Sequence, residues 1–482
     1  MIDVSLLVDG ARNDTGVAAR VLLAFPESFR YRPGIGWMRW RDTHWHQDRT
    51  GAVVEYISAT IDLMIAAADL LDPEPAEKGK ASPRAEWLRW CRSLGDTRSL
   101  YAIERRLQTW PGVVVVDGWD ANPYLINTPG GVVDLCTGAV EPHNPRHLLT
   151  RCTGGRKVEV APHFPGDGAP GSRWDAFLSQ VLPDPETRAY LQRFVGKSLI
   201  GKQIDHHVAM VTGTGGNGKG SMIRACATAL ADYFSTLPAS FFVETQQTPH
   251  PTEIADLAGR RMCVSCEIPA GKRFDETRLK EITGGDKLKA RYMGKDFFEF
   301  VPSHTVWITC NEKPRITSTD NSVWRRVRTI PFKVTIPADQ IDRGLDDALA
   351  AESDLVFTWA LEGARAYLSD GLGTCPEVEA ETADYRQSQD TLAQAIAEVC
   401  DVGPLLSEPA HDLHRALCRW YSDMGLTNAP NQIVLGRELA RRGFGRKATA
   451  TARLWQGLRV RDDWRQPEPA KWQQSGRRDW HD

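Results

Sequence analysis

A short glycine-rich stretch limits what this chain can fold into more than any other part of it. Residues 213–221 read Gly213-Thr214-Gly215-Gly216-Asn217-Gly218-Lys219-Gly220-Ser221, after the apolar run His207-Val208-Ala209-Met210-Val211-Thr212. Apolar residues then recur at Met222, Ile223, Cys226, Leu230 and Phe234, a helical spacing. Strand, glycine-rich turn and helix opening on a lysine form a phosphate cradle. Glycines let backbone N–H groups curl around an anion, the helix N-terminus adds partial positive charge, and Lys219 reaches the outer phosphates. A chance lysine on a surface loop would lack both flanking elements. One detail departs from the usual pattern: Gly220 follows the lysine, so the hydroxyl that would hold Mg²⁺ comes one place late, on Ser221.

At 482 residues the chain is long enough for about three domains. Its 41% hydrophobic and 25% charged content suits a globular protein. No apolar stretch approaches the ~20 residues of a membrane span, and no signal-peptide pattern opens the chain. Ten cysteines without framework spacing suit reduced thiols in a cytoplasm. Cys263 and Cys266 lie in an apolar run with no second pair, which favours two strand thiols over a zinc site. The net charge of −3 hides a gradient. From residue 431 onward twelve Lys/Arg face six acids, giving +6 there and −9 elsewhere. A basic end on an acidic body points weakly to a polyanion, and a solvated basic surface explains it equally well.

The predicted architecture is α/β. The first fifty residues read as β-rich, with a hairpin around Gly36–Trp40 and Trp45–Asp48 that leaves His44 and His46 on its surface. Helices are expected near 51–73 and 84–108, and short strands near 124–127, 130–135 and 138–140. A Gly/Pro-rich stretch at 162–172 sets a first boundary, and residues 370–376 set a second. The domains expected are a mixed α+β unit over 1–165, an ATPase unit over 170–370 and a C-terminal unit over 377–482. The middle one has helical lead-ins at 173–182 and 185–200, then alternating strands and helices, as in a parallel sheet. The last has a charged helix at 377–400, helices near 410–424 and 431–442, and a basic β segment to Val460. Two helices followed by a basic hairpin suit a winged helix.

Three further features follow the loop in order. Met262-Cys263-Val264-Ser265-Cys266 ends in Glu267, a carboxylate placed to polarise an attacking water and help hold a metal. Val306-Trp307-Ile308-Thr309-Cys310 ends in Asn311, whose neutral amide can hydrogen-bond a γ-phosphate, although Asn is also a common turn residue. Then come Arg325 and Arg326, whose forks of donors suit charge on a transferring phosphoryl group. Each alone has a bland alternative. In order after a phosphate loop, they indicate a compact ring-forming ATPase in which an arginine serves the neighbouring subunit's nucleotide. Between Glu267 and Asn311, Lys287, Lys289 and Arg291 alternate, sharing one face of a strand, and Gly294-Lys295 makes a hairpin turn. Such a face suggests contact with a phosphate backbone without base readout.

From about 127 to 332 the chain resembles the helicase part of phage and plasmid primases, superfamily 3 helicases related to the poxvirus primase-helicase. The resemblance rests on the 131–138 stretch Gly-Val-Val-Asp-Leu-Cys-Thr-Gly, the 213–221 loop and Lys280-Glu281-Ile282-Thr283-Gly284-Gly285-Asp286. Thr309-Cys310-Asn311-Glu312-Lys313-Pro314 and Trp324-Arg325-Arg326 complete it. It implies an AAA+-type ATPase using ATP and Mg²⁺, assembled as a ring, in the family a hexamer. Such a ring moves on single-stranded DNA and opens duplex or fork DNA in a bacterial host's cytoplasm. It further implies that Lys219 and the loop bind phosphates, that Glu267 drives hydrolysis with Ser221 at the metal, and that Asn311 senses the γ-phosphate. Arg325 or Arg326 would be the finger, and Lys287, Lys289, Arg291 and Lys295 would line the pore.

Cys266 stands where many relatives carry a second acid, which with the late Ser221 weakens the expected Mg²⁺ shell. Only about 125 residues precede the resembling region, without a primase's acidic motif, so any primase is expected on another chain. A nucleotide-dependent origin-binding or loading factor is the alternative from a different class, and a packaging motor is a remote third.

Overall fold

The computed structural model describes residues 3–75, 80–245, 251–268, 272–294, 296–316, 321–426, 429–448 and 453–465. The chain forms two compact units, residues 1–385 and 386–482.

The centre of the first unit is a five-stranded sheet. Its strands are β1 (Val208–Thr212), β2 (Phe234–Leu237), β3 (Met262–Cys266), β4 (Thr305–Cys310) and β5 (Val327–Pro331). Their order is β5-β1-β4-β3-β2, and every neighbouring pair is parallel. Parallel sheets are covered on both faces, so their strands read as unbroken apolar runs. Here β1 and β4 are buried at every position. Alternate residues feed two cores. Ala209, Val211, Val264, Trp307 and Ile330 join one, and Val208, Met210, Cys263, Val306 and Ile308 join the other.

The first core is closed by α1 (Arg173–Val181), α2 (Pro185–Lys197), α3 (Lys219–Leu230), α4 (Leu345–Ala351) and α5 (Ser353–Asp370). The connection from β1 through α3 goes to the far edge strand β2, while β5 lies on the other side of β1. The strand order therefore changes direction at β1. A cleft at the carboxyl ends of parallel strands forms at such a point.

The first fifty residues are not wholly β. A helix occupies Asp14–Ala24, because the Asn13 side chain accepts from the Gly16 amide and Val17, Ala18, Val21 and Ala24 are buried. A three-stranded antiparallel sheet follows (Phe29–Arg32, Gly36–Arg41, His44–Gln47). These elements and the helices Ala52–Ala66, Pro83–Ser93 and Thr97–Gln108 share a core of their own. His44 is a correction to the surface expectation, being only 7% exposed. Its ring lies 3.9 Å from that of His46, and its Nδ1 is 2.8 Å from the Thr43 hydroxyl.

No break between compact units falls at residues 165–170. The small sheet of Leu125–Thr128, Gly131–Asp134 and Val140–Glu141 sends Ile126 and Val133 into the core closed by α1–α5. The Gly154 and Gly155 amides both donate to the Ala229 carbonyl at 3.0 Å, so the connecting chain is tied to α3.

In the second unit the elements run helix Thr391–Val399, strand Cys400–Pro409, helices Ala410–Asp423 and Gln432–Arg441, and strands Gly445–Ala448 and Arg453–Val460. The expected helix over 377–400 is two helices, Pro376–Gln389 and Thr391–Val399. Asp390 divides them by capping the second and pairing with Arg442 at 2.8 Å. The strand Cys400–Pro409 pairs with Arg453–Val460, which also pairs with Gly445–Ala448. Part of the basic excess is neutralised locally, by Arg461 with Asp401 and Arg465 with Glu408. Lys471, Arg477 and Arg478 lie outside the described residues. Among those described, no helix is long and apolar enough to cross a membrane.

Candidate nucleotide site

The 213–218 loop leaves β1 and enters α3 at Lys219. Its backbone is left-handed at Gly215 (φ 101°), Gly216 (φ 60°) and Gly218 (φ 81°), a region open to glycine at little cost. Space adds a second reason at Gly218, where a Cβ would lie 2.6 Å from Val181 Cγ1. The loop is pinned from beneath, as Asn217 Nδ2 donates to the Phe332 carbonyl at 3.2 Å.

Lys219 is 7% exposed. Its ammonium donates to the Gly213 carbonyl at 2.6 Å, Asn217 Oδ1 at 3.1 Å and Asn311 Oδ1 at 3.2 Å. All three acceptors are neutral, and burial draws the lysine's pKa below its ordinary value. A buried cation without a carboxylate is costly unless an anion arrives to meet it. That is the chemistry a phosphate supplies.

The cavity in front of the loop measures about 580 Å³. Glu267, Asn311, Ser221 and Cys266 line it with the loop itself. β3 and β4 are neighbours, and β4 pairs with β1, so their last residues open into one cleft. The main chain turns left-handed at Glu267 (φ 55°), a strain of about 1–3 kcal/mol in a non-glycine residue and one that gathers at functional sites. The turn is held by the Glu267 amide donating to the Thr309 carbonyl at 3.0 Å. Glu267 and Asn311 are both exposed to the cavity. Beside them burial pushes the Cys310 thiol up to about 11.

Ser221 reaches the cavity but is engaged. Its hydroxyl accepts from Arg224 at 3.2 Å, and Arg224 also pairs with Asp346. Reasoning from the sequence missed this Arg224–Asp346 pair, since no motif joins residues so far apart. The glycine loop and the Lys219 ammonium suit an anion. The possible Mg²⁺ donors are Ser221 and Glu267, both at the cavity wall.

Arg325 and Arg326 do not line the cavity, and they differ. Arg326 is 6% exposed, and it donates to Thr283 Oγ1 at 3.1 Å and to the Ser322 carbonyl at 2.6 Å. Arg325 is exposed, and its guanidinium has no partner among the described residues. Lys287, Lys289 and Arg291 also lie away from the cavity. They are exposed while Leu288 and Ala290 are buried, on a hairpin of Leu288–Ala290 with Phe298–Phe300. Phe297, half exposed at 51%, sits under Lys289 and Arg291 at 5.3 and 4.9 Å. Lys295 lies outside the described residues.

The fold and cleft define an α/β protein with an anion-suited cavity at the carboxyl ends of its parallel strands. Residues 18–183 match the family described as D5 N terminal like, and residues 211–326 match a family of unknown function. The chain is 26% identical over 335 residues to "Putative helicase L207/L206" of Acanthamoeba polyphaga mimivirus, covering 65% of this chain and 34% of that protein. It is 29% identical over 285 residues to "Putative helicase 022R" of Frog virus 3, covering 54% and 28%. It is 24% identical over 332 residues to "Putative primase C962R" of African swine fever virus, covering 63% and 34%. Among solved structures it is similar to the apo C-terminal region of NrS-1, at 12% identity and a TM-score of 0.47 over 79% of this chain and 77% of that one. The sequence matches support the primase-helicase family. The chain spans about a third of the length of these curated relatives. They come from viruses of amoebae and animals, so the expected bacterial host finds no support among them.

Proposed function

We propose that this chain is an ATP-dependent DNA helicase of a virus-like replicon, built on an AAA+-type P-loop core and working as a ring, with six subunits as in the resembling family. The observation that carries this reading is Lys219: a buried ammonium facing neutral oxygens only, in a cavity shared with Glu267 and Asn311. The loop amides and Lys219 hold the β- and γ-phosphates. The Glu267 carboxylate polarises a water that attacks the γ-phosphorus, and the bond to the β–γ bridging oxygen breaks to leave ADP and phosphate. Asn311, already bonded to Lys219, exchanges that contact for the γ-phosphate and reports its presence. Mg²⁺ held by Ser221 and Glu267 would neutralise phosphate charge. The exposed Arg325 supports the role of a finger lent to a neighbour's nucleotide, whereas Arg326 is committed within its own chain.

The exposed Lys287, Lys289 and Arg291 support contact with a single DNA strand in the ring's pore. Helix, strand, two helices and a two-stranded hairpin in residues 391–460 support a winged-helix module that meets duplex DNA. One observation favours a second reading. Ser221 is held by Arg224, which weakens the metal shell and suits a nucleotide-dependent loading factor with slow turnover.

ATP hydrolysis with and without single-stranded DNA separates the two. In the helicase reading DNA stimulates hydrolysis. Lys219→Ala and Glu267→Gln each lose about a hundredfold or more, with Glu267→Gln still binding ATP. Hydrolysis that survives Lys219→Ala would overturn the assignment of the site.

A further inference from the structure

A second cavity, about 300 Å³, opens on the N-terminal antiparallel sheet and is lined by Arg39, Arg41, His46 and Arg49. Strand pairing explains the clustering. Arg39 stands opposite His46 and Arg41 opposite His44, so these side chains leave the same side of the ribbon. Trp40 and Trp45 take the other side and meet edge to face at 5.5 Å. Arg49 joins from the turn that follows.

The wall has one acid, Asp48, and it is already committed. Its Oδ1 accepts from the Thr50 amide, the Thr50 hydroxyl and the Gly51 amide, and its Oδ2 from the Val53 amide. None of the three arginines has a carboxylate partner among the described residues. Arg39 is steadied instead by the Tyr56 hydroxyl, at 3.1 Å from its Nε. Burial, and then the charge of Arg41, lower the His46 imidazole from its ordinary value. Three cations gathered at one cavity repel one another unless an anion lies between them. Arginine forks fit phosphate oxygens. Their spread along a strand and into the next turn fits successive phosphates better than one ion.

We infer that this cleft grips the sugar-phosphate backbone of a single nucleic-acid strand, at a site separate from the nucleotide cavity. It makes no demand on base identity. The choice of a nucleic acid over a free anion rests on the helicase reading above.

The test is fluorescence anisotropy of a labelled oligo-dT on the full chain, without nucleotide and across a salt series, for wild type and Arg41→Glu/Arg49→Glu. Both side chains are exposed, and a melting curve checks the fold. The expected result is affinity lowered about tenfold or more, with a log–log salt slope shallower by about 1.4, the release from two single-strand phosphates. If the glutamates disturb folding, Arg41→Gln/Arg49→Gln carries the same slope test without added negative charge. Unchanged affinity and slope would overturn the inference. Calorimetry with inorganic phosphate supplies the other arm: phosphate binding lost in the variant while oligo-dT binding stays intact would assign the cleft to a free anion. Because binding is read without ATP, a chain that fails to hydrolyse ATP refutes the enzyme reading and leaves this result standing on its own.

Discussion

Lys219 and the two arginines at 325 and 326 show how much a single side chain's surroundings decide. Lys219 was legible in the sequence because a strand, glycines and a helix flank it, and those neighbours fix where a lysine must point. The arginine pair was not separable there, since adjacent residues share every pattern and differ only in burial. The structure separates them. Arg326→Ala removes its hydrogen bonds to Thr283 Oγ1 and the Ser322 carbonyl, a loss of about 1–3 kcal/mol for buried groups, read as a lower melting temperature. Arg325→Ala is expected to melt like wild type while ATP hydrolysis falls about a thousandfold. Equal melting of both variants would contradict this division of roles.

His44 was expected on a surface and is buried, because nothing in its hairpin's alternation told that this end of the ribbon is covered by other segments. Burial first, then the neighbouring His46, push its pKa down to about 4. The unfolded imidazole titrates near 6.5. Below that pH the unfolded chain takes up the proton first, so stability held above pH 6.5 drains away as pH falls toward 4. The loss reaches about 3 kcal/mol. Melting temperatures of the wild type should drop over that window, and His44→Asn should flatten the drop.

Among elements, those with long apolar runs were readable and those with broken ones were not. β1, β3 and β4 are buried through most of their length, so their sequence is apolar without interruption. The strand Cys400–Pro409 went unseen because it contains Gly403, Pro404 and Pro409. It is an edge strand with an irregular register between Val402 and Ser407, the setting in which proline is tolerated. The basic hairpin was legible from spacing alone, but Phe297 beneath its cations was not. Lys289→Ala/Arg291→Ala is expected to lower DNA stimulation of ATP hydrolysis at least about threefold, with a salt slope shallower by about 1.4. Its DNA-free hydrolysis should stay at the wild-type rate. Loss of the DNA-free rate as well would remove the hairpin from a DNA-binding role.

At the scale of the whole molecule, the cavity holds a lysine, a carboxylate and an amide, and the arginine that lines it, Arg224, is already paired with Asp346; Arg325 does not line it and is exposed. In the proposed helicase reading an uncommitted arginine comes from a neighbouring subunit, which would make assembly part of the chemistry. The division into compact units was only partly readable, because residues 125–155 are bound to α3 and its core by contacts that no linear pattern announces. The most direct measurement is ATP hydrolysis by an equimolar mixture of Lys219→Ala and Arg325→Ala chains with single-stranded DNA. Each variant alone is expected to be inactive. In a mixed ring, intact loops of one variant meet intact arginines of the other, so activity should return to a substantial fraction of wild type. A mixture no more active than either variant alone would contradict a site shared between subunits.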